Sequence, residues 1–86
     1  MSIQYRAKWK ELLVGLIGNH SFSVEMTMGT LHVYFPTEEK WNESAPQWAI
    51  GQYGIAREEV INWCSKEEIP VTFESHAWVD FTDQIA

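Results

Sequence analysis

The sequence predicts an α+β fold: a single-layer, four-stranded antiparallel sheet with two main helices packed on one face, in the order α-β-β-(short helical link)-α-β-β. Three observations lead there. Apolar residues recur at helical spacing in two stretches, and at period two in four others. These stretches come as a helix followed by a hairpin, twice over. Segregated runs of this kind place helices on one face of an antiparallel sheet and leave the other face to water.

Taken in order, Tyr5, Trp9, Leu12, Leu13, Leu16 and Ile17 share a helical spacing, so residues 3 to 18 predict an amphipathic helix. Gly18 and Asn19 follow as its stop, since both tolerate the left-handed conformation. Gly15 weakens this helix or lets another element approach closely. The period then changes to two. Phe22, Val24 and Met26 alternate in "SFSVEM", and Leu31, Val33 and Phe35 in "TLHVYF". The intervening "TMGT" makes the pair a hairpin, and Pro36 ends its second strand.

The link from 36 to 52 carries Pro36, Pro46 and Gly51 as punctuation. "TEEKW" predicts one short helical turn capped by Thr37, and Ser44 caps a second short piece near "PQWAI". "AREEVINWCSKEEI" predicts the second main helix, with Ala56, Val60, Trp63, Cys64 and Glu67 on one face and Glu58 and Glu59 in its first turn. Pro70 forces an extended exit. Val71 and Phe73, then Ala77, Val79 and Phe81, alternate on either side of Ser75 and His76 and predict a second hairpin.

A chain of 86 residues is one small domain, 1–86. Five Trp, three Tyr and four Phe supply the buried area that so short a chain needs, and they exclude disorder. The net charge of −6 lacks the basic footprint that phosphate binding draws on, which disfavours nucleic acid despite the local cluster Arg6, Lys8 and Lys10. It suits a basic protein partner. One cysteine, Cys64, allows no internal disulfide and fits a reducing cytoplasm. No apolar run approaches the ~20 residues of a membrane span and no signal peptide is visible, so the expectation is a soluble cytoplasmic protein with no membrane role.

Within "YGIAREEVINW", Gly54 is followed by Ile55, Val60 and Trp63 at the spacing of a turn glycine and the apolar residues that lock two helices together. Residues 46–64 thus resemble a helix-turn-helix. The resemblance implies a DNA-associated regulator in which Arg57 and Asn62 reach the major groove. Against it stand bulky Ile50, where a small residue is usual, and the carboxylates of Glu58 and Glu59, where a phosphate backbone would lie. Each such contact is repulsive by about 1 kcal/mol at ~4 Å even in water.

The sequence carries no phosphate loop and no nucleophile elbow. His20, His32, His76 and Cys64 form no paired zinc spacing. Cys64 falls on the inner face of a helix, where a cysteine behaves as a small hydrophobe. The reading is accordingly non-enzymatic, with no cofactor and no metal.

Strand alternation supplies the candidate site. If Val24, Leu31, Val33, Phe73, Val79 and Phe81 point toward the helices, then Ser23, Glu25, His32, Tyr34, Thr72, Glu74, Trp78 and Asp80 face solvent. Trp78, Tyr34 and His32 with Glu25, Glu74 and Asp80 make an aromatic-acidic surface, the make-up of an interface core and rim. The predicted function is a protein-interaction module, an acidic inhibitor or adaptor that docks a basic partner through this face; homodimerisation through the same face is a variant. In character the chain resembles short, acidic, Trp-rich inhibitors encoded by phages.

Overall fold

In a computed structural model described over residues 3–8, 12–27 and 29–82, the chain forms one mixed six-stranded sheet with helices on one side. The strands are β1 (Gln4–Lys8), β2 (Leu12–Ile17), β3 (His20–Thr27), β4 (His32–Pro36), β5 (Val71–Glu74) and β6 (Val79–Thr82). The helices are α1 (Glu38–Ser44) and α2 (Tyr53–Glu67), with a single 3-10 turn, Gln47–Ala49, between them. The order is β1-β2-β3-β4-β5, and β6 also pairs with β3. No helix of the described residues is long and apolar enough to cross a membrane.

The predicted α+β class holds, but its four-stranded antiparallel arrangement is corrected in two places. Residues 4–17 form an antiparallel hairpin, β1 on β2, and not a helix. "LLVGLI" is apolar at every position except Gly15, so it satisfies helical and extended periodicities alike. Pairing decides between them: β2 is hydrogen-bonded to β1 along one edge and to β3 along the other, which only an extended segment allows. Gly18, at φ 56°, and Asn19 link Ile17 to His20 as a two-residue turn with glycine at its first central position, the signature of a type II′ hairpin. Trp9 and Lys10, read as part of the N-terminal helix and its basic cluster, lie outside the described residues.

The second correction concerns the C-terminal strands. They do not form a hairpin with each other. β5 runs parallel to β4, with Val33 beside Val71 and Phe35 beside Phe73, after the crossover through α1 and α2. β6 instead joins β3, with Val24 beside Val79 and Phe22 beside Phe81. β3 is eight residues long, so its second half pairs with β4 over Glu25–Thr27 and its first half with β6 over Ser21–Val24. β4 and β6 therefore lie end to end along the same side of β3.

The helices follow the sequence more closely. Thr37 caps α1, its hydroxyl accepting from the Lys40 amide at 3.3 Å. The short piece near "PQWAI" begins after Pro46 with no side-chain cap, so Ser44 does not have that role. α2 starts at Tyr53, which moves Glu58 and Glu59 out of its first turn. Its buried face is Tyr53, Ala56, Val60 and Cys64, while Trp63 is half-buried and Glu67 exposed. Glu68 closes the helix in the left-handed conformation, with its amide donating to Ser65 and then Ile69 to Cys64. The extended exit through Pro70 hands the chain to β5.

Trp41 of α1 is fully buried and centres the core. Phe22 lies 5.0 Å from it edge-on, Phe81 4.8 Å and Tyr53 5.6 Å, geometries that favour aromatic pairs beyond area burial alone. Its indole N–H donates to the Ala49 carbonyl at 3.0 Å, and the Tyr53 hydroxyl donates to the Pro36 carbonyl at 2.7 Å. The link that separates the two sheet halves in sequence thus supplies the residue that joins them in space. Tyr5 fixes β1 under α2 by donating from its hydroxyl to the Ala56 carbonyl at 2.7 Å.

Candidate binding face

Because paired residues share a face, the registers sort every strand position. The side under the helices holds Tyr5, Leu13, Phe22, Val24, Met26, Val33, Phe35, Val71, Phe73, Val79 and Phe81. The predicted phase is correct for Val24, Val33, Phe73, Val79 and Phe81. Leu31 is the exception. It sits in the turn before β4 and is 41% exposed.

The opposite side forms three cross-strand rows. One runs Lys8, Leu12, Glu25, Tyr34, Thr72; the next runs Arg6, Val14, Ser23, Asp80; the third runs Gln4, Leu16, Ser21, Thr82. His32 and Tyr34 are two apart on β4, and their rings stack at 4.4 Å with 19° between planes. His32 Nε2 also hydrogen-bonds the Thr72 hydroxyl at 2.7 Å across the β4–β5 seam. Glu25 stands in register with Tyr34. The structure therefore brings His32, Tyr34 and Glu25 together on one surface, with Thr72 completing the cluster. Asp80 lies on β6 beside Ser23, and Glu74 ends β5. Trp78 precedes β6 and is 38% exposed, while its neighbour Ala77 is buried.

Two features of this face escaped the sequence reading. Leu12, Val14 and Leu16 form a half-buried aliphatic stripe along β2, and Arg6 and Lys8 stand exposed beside it on β1. The stripe is the floor of a shallow recess of about 460 Å³ that reaches Ser21, Ser23 and Thr82. The signal for it was present in the unbroken "LLVGLI" followed by Gly18-Asn19, a run and a turn that read as a strand entering a hairpin.

The helix-turn-helix unit implied by residues 46–64 is not formed. A three-residue 3-10 turn stands where its first helix would be, and Ile55, one of its locking residues, is 36% exposed. Arg57 places its guanidinium over the Phe73 ring at 4.6 Å, against the sheet. Asn62 instead borders a notch with Tyr5, Trp63 and Lys66. Five residues apart on α2, the two are about 140° apart around the helix and do not share a surface.

Burial pushes the Cys64 thiol up from 9.0 to about 11, so it is protonated at neutral pH. His20 stacks on Trp48 at 4.6 Å under the helices. Among the described residues, no three His, Cys, Asp or Glu side chains converge into a group that holds a metal ion. Comparison with protein-family models, curated proteins and solved structures finds no match for this chain.

Proposed function

We propose that this protein is a non-enzymatic interaction module that docks a basic protein partner through the side of its sheet turned away from the helices. One observation carries the proposal: the His32–Tyr34 stack, tied to Thr72, with Glu25 in register beside it. Rings held by stacking and a cross-strand hydrogen bond are ordered before a partner arrives, which lowers the entropy cost of docking on them. Glu25, Glu74 and Asp80 set the sign of the partner, and the net charge of −6 steers it from a distance. Trp78 adds an exposed ring of the kind that dominates interface energies.

The test is site-specific photo-crosslinking in cells that produce the full chain, with a photoreactive phenylalanine in place of Tyr34 or, on α2, in place of Asn62. The expected result is a covalent protein adduct from position 34 and none from 62. Trp78→Ala should reduce that adduct while leaving the melting temperature unchanged. Adducts from position 62 alone, or equal yields from both, overturn the proposal.

A further inference from the structure

The solvent face of an antiparallel sheet is usually polar. Here its centre is not, because β2 carries Leu12, Val14 and Leu16 on that side with no helix over them among the described residues. The charges on either side of the stripe differ in sign. Lys8 and Arg6 lie on β1, one strand to one side, and Glu25 lies on β3, one strand to the other. Asp80 is a further strand out from Glu25's side, on β6. A surface with an apolar middle, a basic flank and an acidic flank is complementary to itself.

We infer that the partner of this face is a second copy of the chain, laid sheet against sheet about a two-fold axis parallel to β2. The inference rests on the docking role proposed above. The basic groups it supplies are local, Arg6 and Lys8 of the second copy. The net charge of −6 on each copy opposes approach at long range, so the dimer should tighten as salt screens that repulsion. A two-fold axis lying in the interface carries the β1 side of one copy onto the β3 side of the other and returns each cross-strand row to itself. In the first row Leu12 meets Leu12 of the second copy, and Lys8 meets Glu25, twice by symmetry. In the second row Val14 meets Val14, and Arg6 falls over Ser23 with Asp80 one strand further on. Twisted sheets stacked face to face in this way lie about 30° from parallel, which leaves the central contacts in place.

The size of the face sets the strength. Three strand tracks overlap, β1 on β3, β2 on β2 and β3 on β1. At about 4.8 Å apart and about five residues long they cover roughly 240 Å² in plan on each copy. That is well below the ~800 Å² per partner of a standard specific interface, so the dimer is a weak, transient one that forms toward the upper end of the micromolar range. Each Lys8–Glu25 contact is an exposed ion pair of small worth; its larger effect is to fix register and to disfavour the reversed arrangement.

Sedimentation velocity of the full chain, over roughly 1–200 µM to span that range, tests the inference. The native chain should pass from monomer to dimer. Lys8→Glu should weaken the dimer about 10- to 100-fold, because two attractive contacts become repulsive. Glu25→Lys should do the same, and an equimolar mixture of the two variants should recover the native dimer, since each supplies what the other lacks. Lys66→Glu, on the exposed side of α2, changes net charge equally and should leave the dimer intact. Lys8 is itself exposed, so its variant folds even if the half-buried Glu25 position tolerates lysine poorly. A native chain that stays monomeric throughout, or a dimer that Lys8→Glu and Lys66→Glu affect alike, overturns the inference. A monomeric chain that still yields the position-34 adduct with a different protein overturns the second copy alone and leaves the docking role standing. Loss of that adduct as well removes both.

Discussion

Gly15→Ala is the most direct probe of why residues 12–17 are a strand. Gly15 lies on the helix side of β2 opposite Phe22, and that ring fills the space where a side chain would project. A Cβ built on Gly15 falls 2.6 Å from Cε1 of Phe22 and closer still to its Cζ, well inside contact distance. The ring has little room to yield. It packs on Tyr5 at 5.9 Å, Phe35 at 6.3 Å, Trp41 at 5.0 Å and Phe81 at 6.3 Å. Over-packing a filled core costs about 1–3 kcal/mol, and losing the flexibility of glycine in the unfolded chain returns about 0.5–1 kcal/mol. The net loss is about 1–2 kcal/mol, and for a chain of this size that lowers the melting temperature by roughly 5–15 °C. Thermal melting followed by circular dichroism measures it. On a Phe22→Leu background, which removes the ring edge, the same substitution should cost less than half as much. A Gly15→Ala chain that melts at or above the native temperature, or strict additivity with Phe22→Leu, would refute the argument and reopen the helical reading of this segment.

Three further outcomes are expected from the same structure. Tyr53→Phe leaves the buried Pro36 carbonyl without its donor and should destabilise by about 1–3 kcal/mol, measured by urea denaturation. Thr37→Ala removes the cap of α1 and should cost about 1 kcal/mol or less, given the 3.3 Å contact, in the same assay. The third concerns alkaline pH. Burial holds the Cys64 thiol at about 11 and raises the Tyr5 and Tyr53 phenols above their ordinary 10.0. Unfolding returns each to its ordinary value, so above about 9 the unfolded chain gives up protons that the folded chain keeps. Stability should hold below that pH and fall as pH rises through it. Cys64→Ala should delay the onset toward the tyrosine range, and in the native chain the thiol should react with a disulfide reagent only after unfolding.

How much was legible in the sequence depended on whether local pattern and tertiary demand agreed. They agreed in β3 and β4, where polar residues separate Phe22, Val24 and Met26, and Val33 and Phe35, and only an extended chain sorts them to two faces. They agreed in α2, whose buried residues sit three and four apart. They disagreed in β2, where apolar side chains stand both against the core and along the uncovered outer stripe. A strand that is apolar on both sides loses the alternation that marks it, and length and turn chemistry become the better guides. The pairing of β5 and β6 was hidden for another reason. Ser75 and His76 look like a hairpin connection, yet the partner of each strand is set by which neighbour exposes a free edge, and that is decided by long-range closure around Trp41. The acidic and aromatic half of the candidate face lay within well-patterned strands and was visible. The basic and aliphatic half lay within the misread hairpin and was not.

That missing half also bears on where two copies of this chain would meet. β1 is the outermost strand of the sheet, and an exposed edge invites another strand to add to it. Antiparallel pairing of β1 with β1 of a second copy, centred on Arg6, sets Arg6 against Arg6 and Gln4 against Lys8. Like charges directly opposite each other across a strand pair are destabilising. In the proposed dimer the same two bases, turned to the face and not to the edge, would meet Glu25 and the Asp80 strand of the second copy across an aliphatic stripe. On that proposal Arg6 and Lys8 would act in two directions: they would oppose edge addition of a second β1, and they would supply the flank that the acidic side of the face lacks.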